Sequence, residues 1–107
     1  MAILGDIVDS VTSKNAGPFW ITVDIRCGDL ARFSAVGDAL TTEAAAARCG
    51  VPAAELKRFD IADLCVIKFS LKRTAVQGAP TDRDMHGAQH ANLFREMELP
   101  SYAGPMP

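Results

Sequence analysis

The sequence is short of the residues from which specialised sites are usually built. Its 107 residues include three cysteines, two histidines, one tryptophan and one tyrosine. Cys27, Cys49 and Cys65 are odd in number, sit in apolar company and form no C-x-x-C pair, which argues against a disulfide framework. Neither sign of charge is in excess: 13 acidic against 11 basic residues leave a net charge of −2, which disfavours a nucleic-acid binder that works through phosphates. No apolar run approaches a membrane span. The N-terminal stretch carries Asp6 and Asp9 and has no basic region ahead of a long apolar one, so it does not read as a secretory signal. The expectation is a cytoplasmic chain in a reducing compartment. A P-loop, a G-x-G-x-x-G turn and a defensible Ser-His-Asp order are all missing, and the cysteines have no evident activating neighbour.

What is there suits one small core. The apolar fraction is 49% and the charged fraction 22%, an ordinary globular balance, and a chain this short could not stabilise a second core. Ile3, Leu4, Ile7, Val8 and Val11 recur at helical spacing and predict a first amphipathic helix ending near Asn15, with Gly17 and Pro18 as the stop. From Phe19 to Cys27 every odd residue is apolar while Thr22, Asp24 and Arg26 alternate with them, the pattern of a strand. Leu64 to Arg73 repeats the pattern with Lys68, Ser70 and Lys72, and antiparallel pairing of the two strands would set Asp24 opposite Lys68. Between them Asp29 can cap one short helix. Thr41 can cap another that runs through Arg48 to Gly50, and Leu40, Val51, Leu56 and Phe59 are expected to supply packing that Ala44 to Ala47 cannot. After Arg73 the composition shifts to an exposed loop, followed by a short helix with Ala88, Ala91, Leu93, Phe94 and Met97 on its apolar side. The reading is α+β: a small antiparallel sheet of two to four strands packed against several short helices. It forms one domain over residues 1–99, with a flexible, proline-rich C-terminal tail over 100–107.

Three constellations could carry chemistry. Ser13, Lys14 and Asn15, ahead of Gly17, offer a hydroxyl, an ammonium and an amide that could hold a carboxylate or phosphate; the competing reading is a helix cap and a turn. His86 and His90, four apart with Asp82 and Asp84 nearby, could ligate a metal or act as acid and base. Gly87 weakens the helix a metal set would need, so no metal and no cofactor is assigned. Asp24 beside Thr22 and Arg26 could be a catalytic carboxylate or part of a partner-binding patch, against an exposed ion pair. Glu43 to Phe59 also has the outline of a helix-turn-helix, but Pro52, Ala53 and Ala54 would occupy the reading helix and suit bases poorly.

The run Ser13-Lys14-Asn15-Ala16-Gly17-Pro18-Phe19, followed by Ile21-Thr22-Val23-Asp24-Ile25, resembles the opening signature of a family of small bacterial proteins classed as a domain of unknown function. Asp84-Met85-His86-Gly87-Ala88-Gln89-His90 is similar to that family's second motif. Lys14, Asn15, Asp24, Asp84, Gly87 and Gln89 fall on the two motifs. Members of the family are commonly encoded beside, or fused to, large proteins of the acyclic terpene utilisation (AtuA) type. The resemblance therefore implies a small subunit of a hetero-oligomer with an AtuA-type large partner, working on a carboxylic acid or acyl-CoA ligand. It implies no particular reaction; acid–base residues without a redox cofactor would suit hydratase, dehydratase or isomerase chemistry. In that reading Asp24, Asp84 and His86 are the catalytic candidates, and Ser13, Lys14, Asn15 and Gln89 hold the substrate. The alternative is a non-catalytic assembly module, and neither reading involves nucleic acid or a membrane.

Overall fold

The computed structural model describes residues 2–17, 19–72 and 89–105, with the side chain of Gln89 outside that set. Four strands and four α-helices follow in the order α1 (Leu4–Ile7), β1 (Ser10–Asn15), β2 (Trp20–Arg26), α2 (Leu30–Ala39), α3 (Thr42–Cys49), β3 (Leu56–Ile61), β4 (Val66–Lys72) and α4 (Gln89–Arg95). The strands form one antiparallel sheet in the order β1-β2-β4-β3. The fold is α+β, as the alternation of β2 and β4 implied, and Asp24 does stand opposite Lys68 in the register.

Two segments depart from the sequence expectation. The first helix lasts a single turn: the backbone is already extended at Val8, and residues 10–15 pair with β2 as an edge strand. Val8 and Val11, three apart, fit a helical period, and the choice for the residues that follow rests on other signals. β-branched Val11 and Thr12, with the alternation of Val11, Ser13 and Asn15 against Thr12 and Lys14, settle it for the strand. The second departure follows α3. Thr41 Oγ1 accepts the Ala44 N–H at 3.1 Å and Gly50 closes the helix at φ 73°, both as expected. Beyond a 3₁₀ turn at Ala53–Glu55, however, residues 56–61 form β3, so no second helix exists for a helix-turn-helix. Phe59, expected in the core, is 50% exposed, because in a strand it falls on the opposite face from Leu56.

The helices cover one face of the sheet. Ile21, Val23 and Ile25 of β2 and Ile67, Phe69 and Leu71 of β4 are buried there with Val36, Leu40, Ala45, Ala46, Ala91 and Phe94 from the helices. The Phe69 and Phe94 rings stack with centroids 5.3 Å apart. Beyond α4 the chain is tied back at Leu99, whose N–H meets the Ala2 carbonyl at 2.7 Å, and Tyr102 packs against the core.

Arginines hold the layers together. Arg58, on the helical side of β3, donates to the carbonyls of Leu40 and Gly37 at the C-terminal end of α2, is oriented by Asp60 at 2.9 Å, and lies over the Phe69 ring. A guanidinium at a helix C-terminus both satisfies orphan carbonyls and opposes the helix dipole. Arg48 Nε reaches the Leu93 carbonyl at 2.9 Å, and Arg95 Nη2 reaches the Val11 carbonyl at 2.5 Å. Replacing Arg58 by Met keeps most of the packing but strands the carbonyls of α2. It should cost about 2–3 kcal/mol in urea unfolding, whereas Lys57→Met next door should change stability by less than about 0.5 kcal/mol.

Candidate functional site

The second face of the sheet carries the polar half of the sequence. Strand alternation puts Ser10, Thr12 and Lys14 of β1, Trp20, Thr22, Asp24 and Arg26 of β2, Val66, Lys68, Ser70 and Lys72 of β4, and Lys57, Phe59 and Ile61 of β3 on this side. All four lysines of the sequence therefore share one face of a chain whose net charge is −2. Lys14, Lys57 and Lys72 are exposed, as is Arg26, and Lys68 is half-buried. None of the four lysines lies within ion-pair distance of a carboxylate among the described residues; every such pair there belongs to an arginine, namely Arg32, Arg48 or Arg58.

The registers arrange these groups in rows. One row reads Lys14–Thr22–Ser70–Lys57 across all four strands, and the next reads Thr12–Asp24–Lys68–Phe59. Trp20 stands at the end of the face, with the Lys57 ammonium 5.2 Å from its ring centroid. At the centre, Thr22 is only 8% exposed, and its hydroxyl has no hydrogen-bond partner. The same holds for Oδ1 of Asp24, which is buried and unpartnered even though Lys68 is its neighbour in the register. Buried polar atoms are nearly always satisfied, so two orphans side by side amid unpaired ammonium groups mark this spot out.

The strand also separates residues that the sequence had grouped. Lys14 joins Asp24 on the polar face, while Ser13 and Asn15 point to the helical side. Ser13 Oγ accepts the Ala91 N–H at 2.9 Å, so it satisfies a backbone donor in the first turn of α4 and ties β1 to that helix. This contact lies on the face away from Lys14 and Asp24. Asp84 and His86 lie outside the described residues, as does the Gln89 side chain; His90 sits in the first turn of α4. Sequence reasoning missed Thr22 and Ser70 as site residues, and missed that Lys57, Lys68 and Lys72 converge. The signal available was the alternation itself, since Lys68, Ser70 and Lys72 are all even-numbered in a strand whose odd residues are core.

Elsewhere a shallow groove runs between Ala31, Ser34, Ala35 and Asp38 of α2 and Ser101, Ala103, Gly104 and Pro105, with Asp38 the one titratable side chain of that lining. Among the described residues no three His, Cys, Asp or Glu side chains are grouped to hold a metal, and no helix is long and apolar enough to cross a membrane. Two thiols, the buried Cys27 and the half-buried Cys49, are held towards their protonated form. Burial, with the neighbouring Cys65 adding to it, pushes Cys27 up to about 11, and burial raises Cys49 to about 11 despite Arg48 beside it.

A family model described as "Domain of unknown function (DUF4387)" matches residues 4–98. No curated protein and no solved structure matches the chain.

The two thiols make a pH prediction. A group whose pKa is raised on folding favours its protonated form in the native state, so its contribution to stability is complete below the unfolded value and fades as pH rises towards the folded one. For Cys27 and Cys49 that window runs from 9.0 to about 11, and Tyr102, raised by desolvation, acts in the same direction at higher pH. Urea midpoints should be flat from pH 7 to 8.5 and then fall. Alkylation of native protein at pH 8 should leave Cys27 and Cys49 largely unmodified.

Proposed function

We propose that this chain, which belongs to the DUF4387 family, is the small subunit or accessory domain of a two-component catabolic enzyme. Its large partner is of the AtuA type and its substrate a carboxylic acid or acyl-CoA. The observation that carries this reading is the gathering of all four lysines around Asp24 on a single sheet face. Ammonium groups outside ion pairs suit an anionic substrate, and a carboxylate next to them suits proton transfer without a redox cofactor. The exposed lysines of this face stand in water, so chemistry beside them calls for a second chain to cover it.

Hydration, dehydration or isomerisation fits such a set, with Asp24 as the acid–base group and Lys14 holding the substrate's acid group. Asp84 and His86 remain the further candidates for proton transfer, and Gln89 for substrate contact; Asn15, on the other face of β1, drops out of this site. The exposed Phe59, with Trp20 and Ile61 on the same face, favours the assembly module as the second reading: apolar and aromatic residues at the middle and end of a flat charged surface suit contact with another protein.

Mild affinity purification of the tagged chain from its host, followed by native mass spectrometry, should return a stoichiometric complex with a large AtuA-type protein. A chain that emerges alone removes the two-component reading. In the reconstituted pair Lys14→Met should lower turnover by at least tenfold with assembly intact. Lost assembly with normal turnover of the residual complex would favour the assembly module instead, and full activity would remove Lys14 from the site.

A further inference from the structure

We infer that the Lys14–Thr22–Ser70–Lys57 row is an oxyanion-binding seat, in which the hydroxyls of Thr22 and Ser70 hold one carboxylate or phosphate group between two flanking ammonium groups. The inference deepens the reading above and rests on it only for the molecule that carries the anion, the acid group of the substrate.

Backbone pairing brings the hydroxyls together. The Cys27 N–H bonds to the Cys65 carbonyl at 2.8 Å just past the end of the ladder, so odd residues of β2 exchange hydrogen bonds with β4 and even ones do not. Thr22 and Ser70 are therefore a non-hydrogen-bonded pair, the closer of the two kinds, with Cα atoms about 4.5 Å apart and side chains on one face. Two hydroxyls at that spacing can both donate to a single oxyanion. Lys14 is directly opposite Thr22 on the outer side and Lys57 directly opposite Ser70, so one lysine flanks the pair on each side; the Lys57 ammonium rests over the Trp20 ring and would have to turn from it towards the anion.

The Thr22 hydroxyl is the independent sign of a ligand. It is more than nine-tenths buried, it has no partner, and it lies in the middle of the row rather than at an edge where water would serve it. A valine would fill the same space at a central strand position without the desolvation penalty. Asp24, two residues along, sets a limit on what can bind. Its carboxylate disfavours a second negative charge on the Lys68 side, and its unpartnered Oδ1 asks for a hydrogen-bond donor there. The seat thus fits a ligand with an anionic group over Thr22 and Ser70 and a hydroxyl or amide hydrogen towards Asp24, as a hydroxy acid or the amide-bearing arm of an acyl-CoA would present.

The test is a ¹⁵N-resolved titration of the full chain with two probes, inorganic phosphate and 3-hydroxybutyrate. Saturable shifts should centre on Thr22, Ser70, Lys14 and Lys57. Preference for 3-hydroxybutyrate would assign the seat to a hydroxy acid, and preference for phosphate to a phosphorylated carrier. Thr22→Val should fold with an unchanged or higher melting temperature and bind at least tenfold more weakly. Lys14→Met, on an exposed position, should weaken binding several-fold, and Asp24→Asn should tighten phosphate several-fold by removing the like charge. Undiminished binding by Thr22→Val, shifts centred elsewhere, or no saturable shift with either probe up to about 50 mM, beyond the millimolar range of weak specific sites, would overturn the inference. Anion binding by a chain that captures no partner would leave this seat standing and remove the two-component reading. Partner capture without anion binding would do the reverse.

Discussion

The strict alternation of β2 and β4 is the constraint on which everything else in this small domain depends. Because side chains on a strand point to opposite faces in turn, Ile21, Val23 and Ile25 and their partners Leu71, Phe69 and Ile67 make one face wholly apolar. The same pairing makes the other face hydroxylated and charged. A slip of one residue between these two central strands would bury Lys68 and Lys72 and expose the core, which is why the register is held strongly. The helices follow from the apolar face; the candidate site follows from the other.

Charge is sorted along with hydropathy. The arginines of the described residues other than Arg26 are engaged in structure. Arg58 caps α2, Arg48 binds the end of α4, Arg95 covers the edge of β1, and Arg32 lies near Asp9 and Asp29. The lysines are left for the polar face. This division matches their chemistry, since a planar guanidinium with several fixed donors satisfies carbonyls in confined places, while a single flexible ammonium works better as a mobile charge at a surface. Net charge hid the division, because the acids that balance the lysines sit mostly elsewhere.

Much of the fold was legible because its strongest signals are local. Asp29, Thr41 and Gly50 cap and close α2 and α3 where the sequence placed them, and the period-two runs located β2 and β4 within one or two residues. The failures came where a helical pattern ran past the end of its helix. Ile3 to Val11 recur at helical spacing although α1 ends at Ile7, and Glu43 to Phe59 has a helix-turn-helix outline until residues 56–61 are seen as a strand, with Arg58 pointing under the sheet and Phe59 over it. The site was half legible for a related reason. Lys14 and Asp24 were picked out by residue type. Their separation from Ser13 and Asn15 follows from β1 being a strand, and the value of Thr22 and Ser70 follows from a pairing between residues 48 positions apart in the chain.

That distance has a consequence for how the domain is made. β1 with β2, and β3 with β4, are two hairpins that can close early because their partners are near in sequence, whereas the β2–β4 seam must wait for the loop containing α2 and α3 to be gathered in. Thr22 belongs to one hairpin and Ser70 to the other. Whatever molecule spans them can recognise only the finished chain, so its binding would act as a clasp on the slowest-forming junction of the fold, and occupancy and foldedness would rise and fall together.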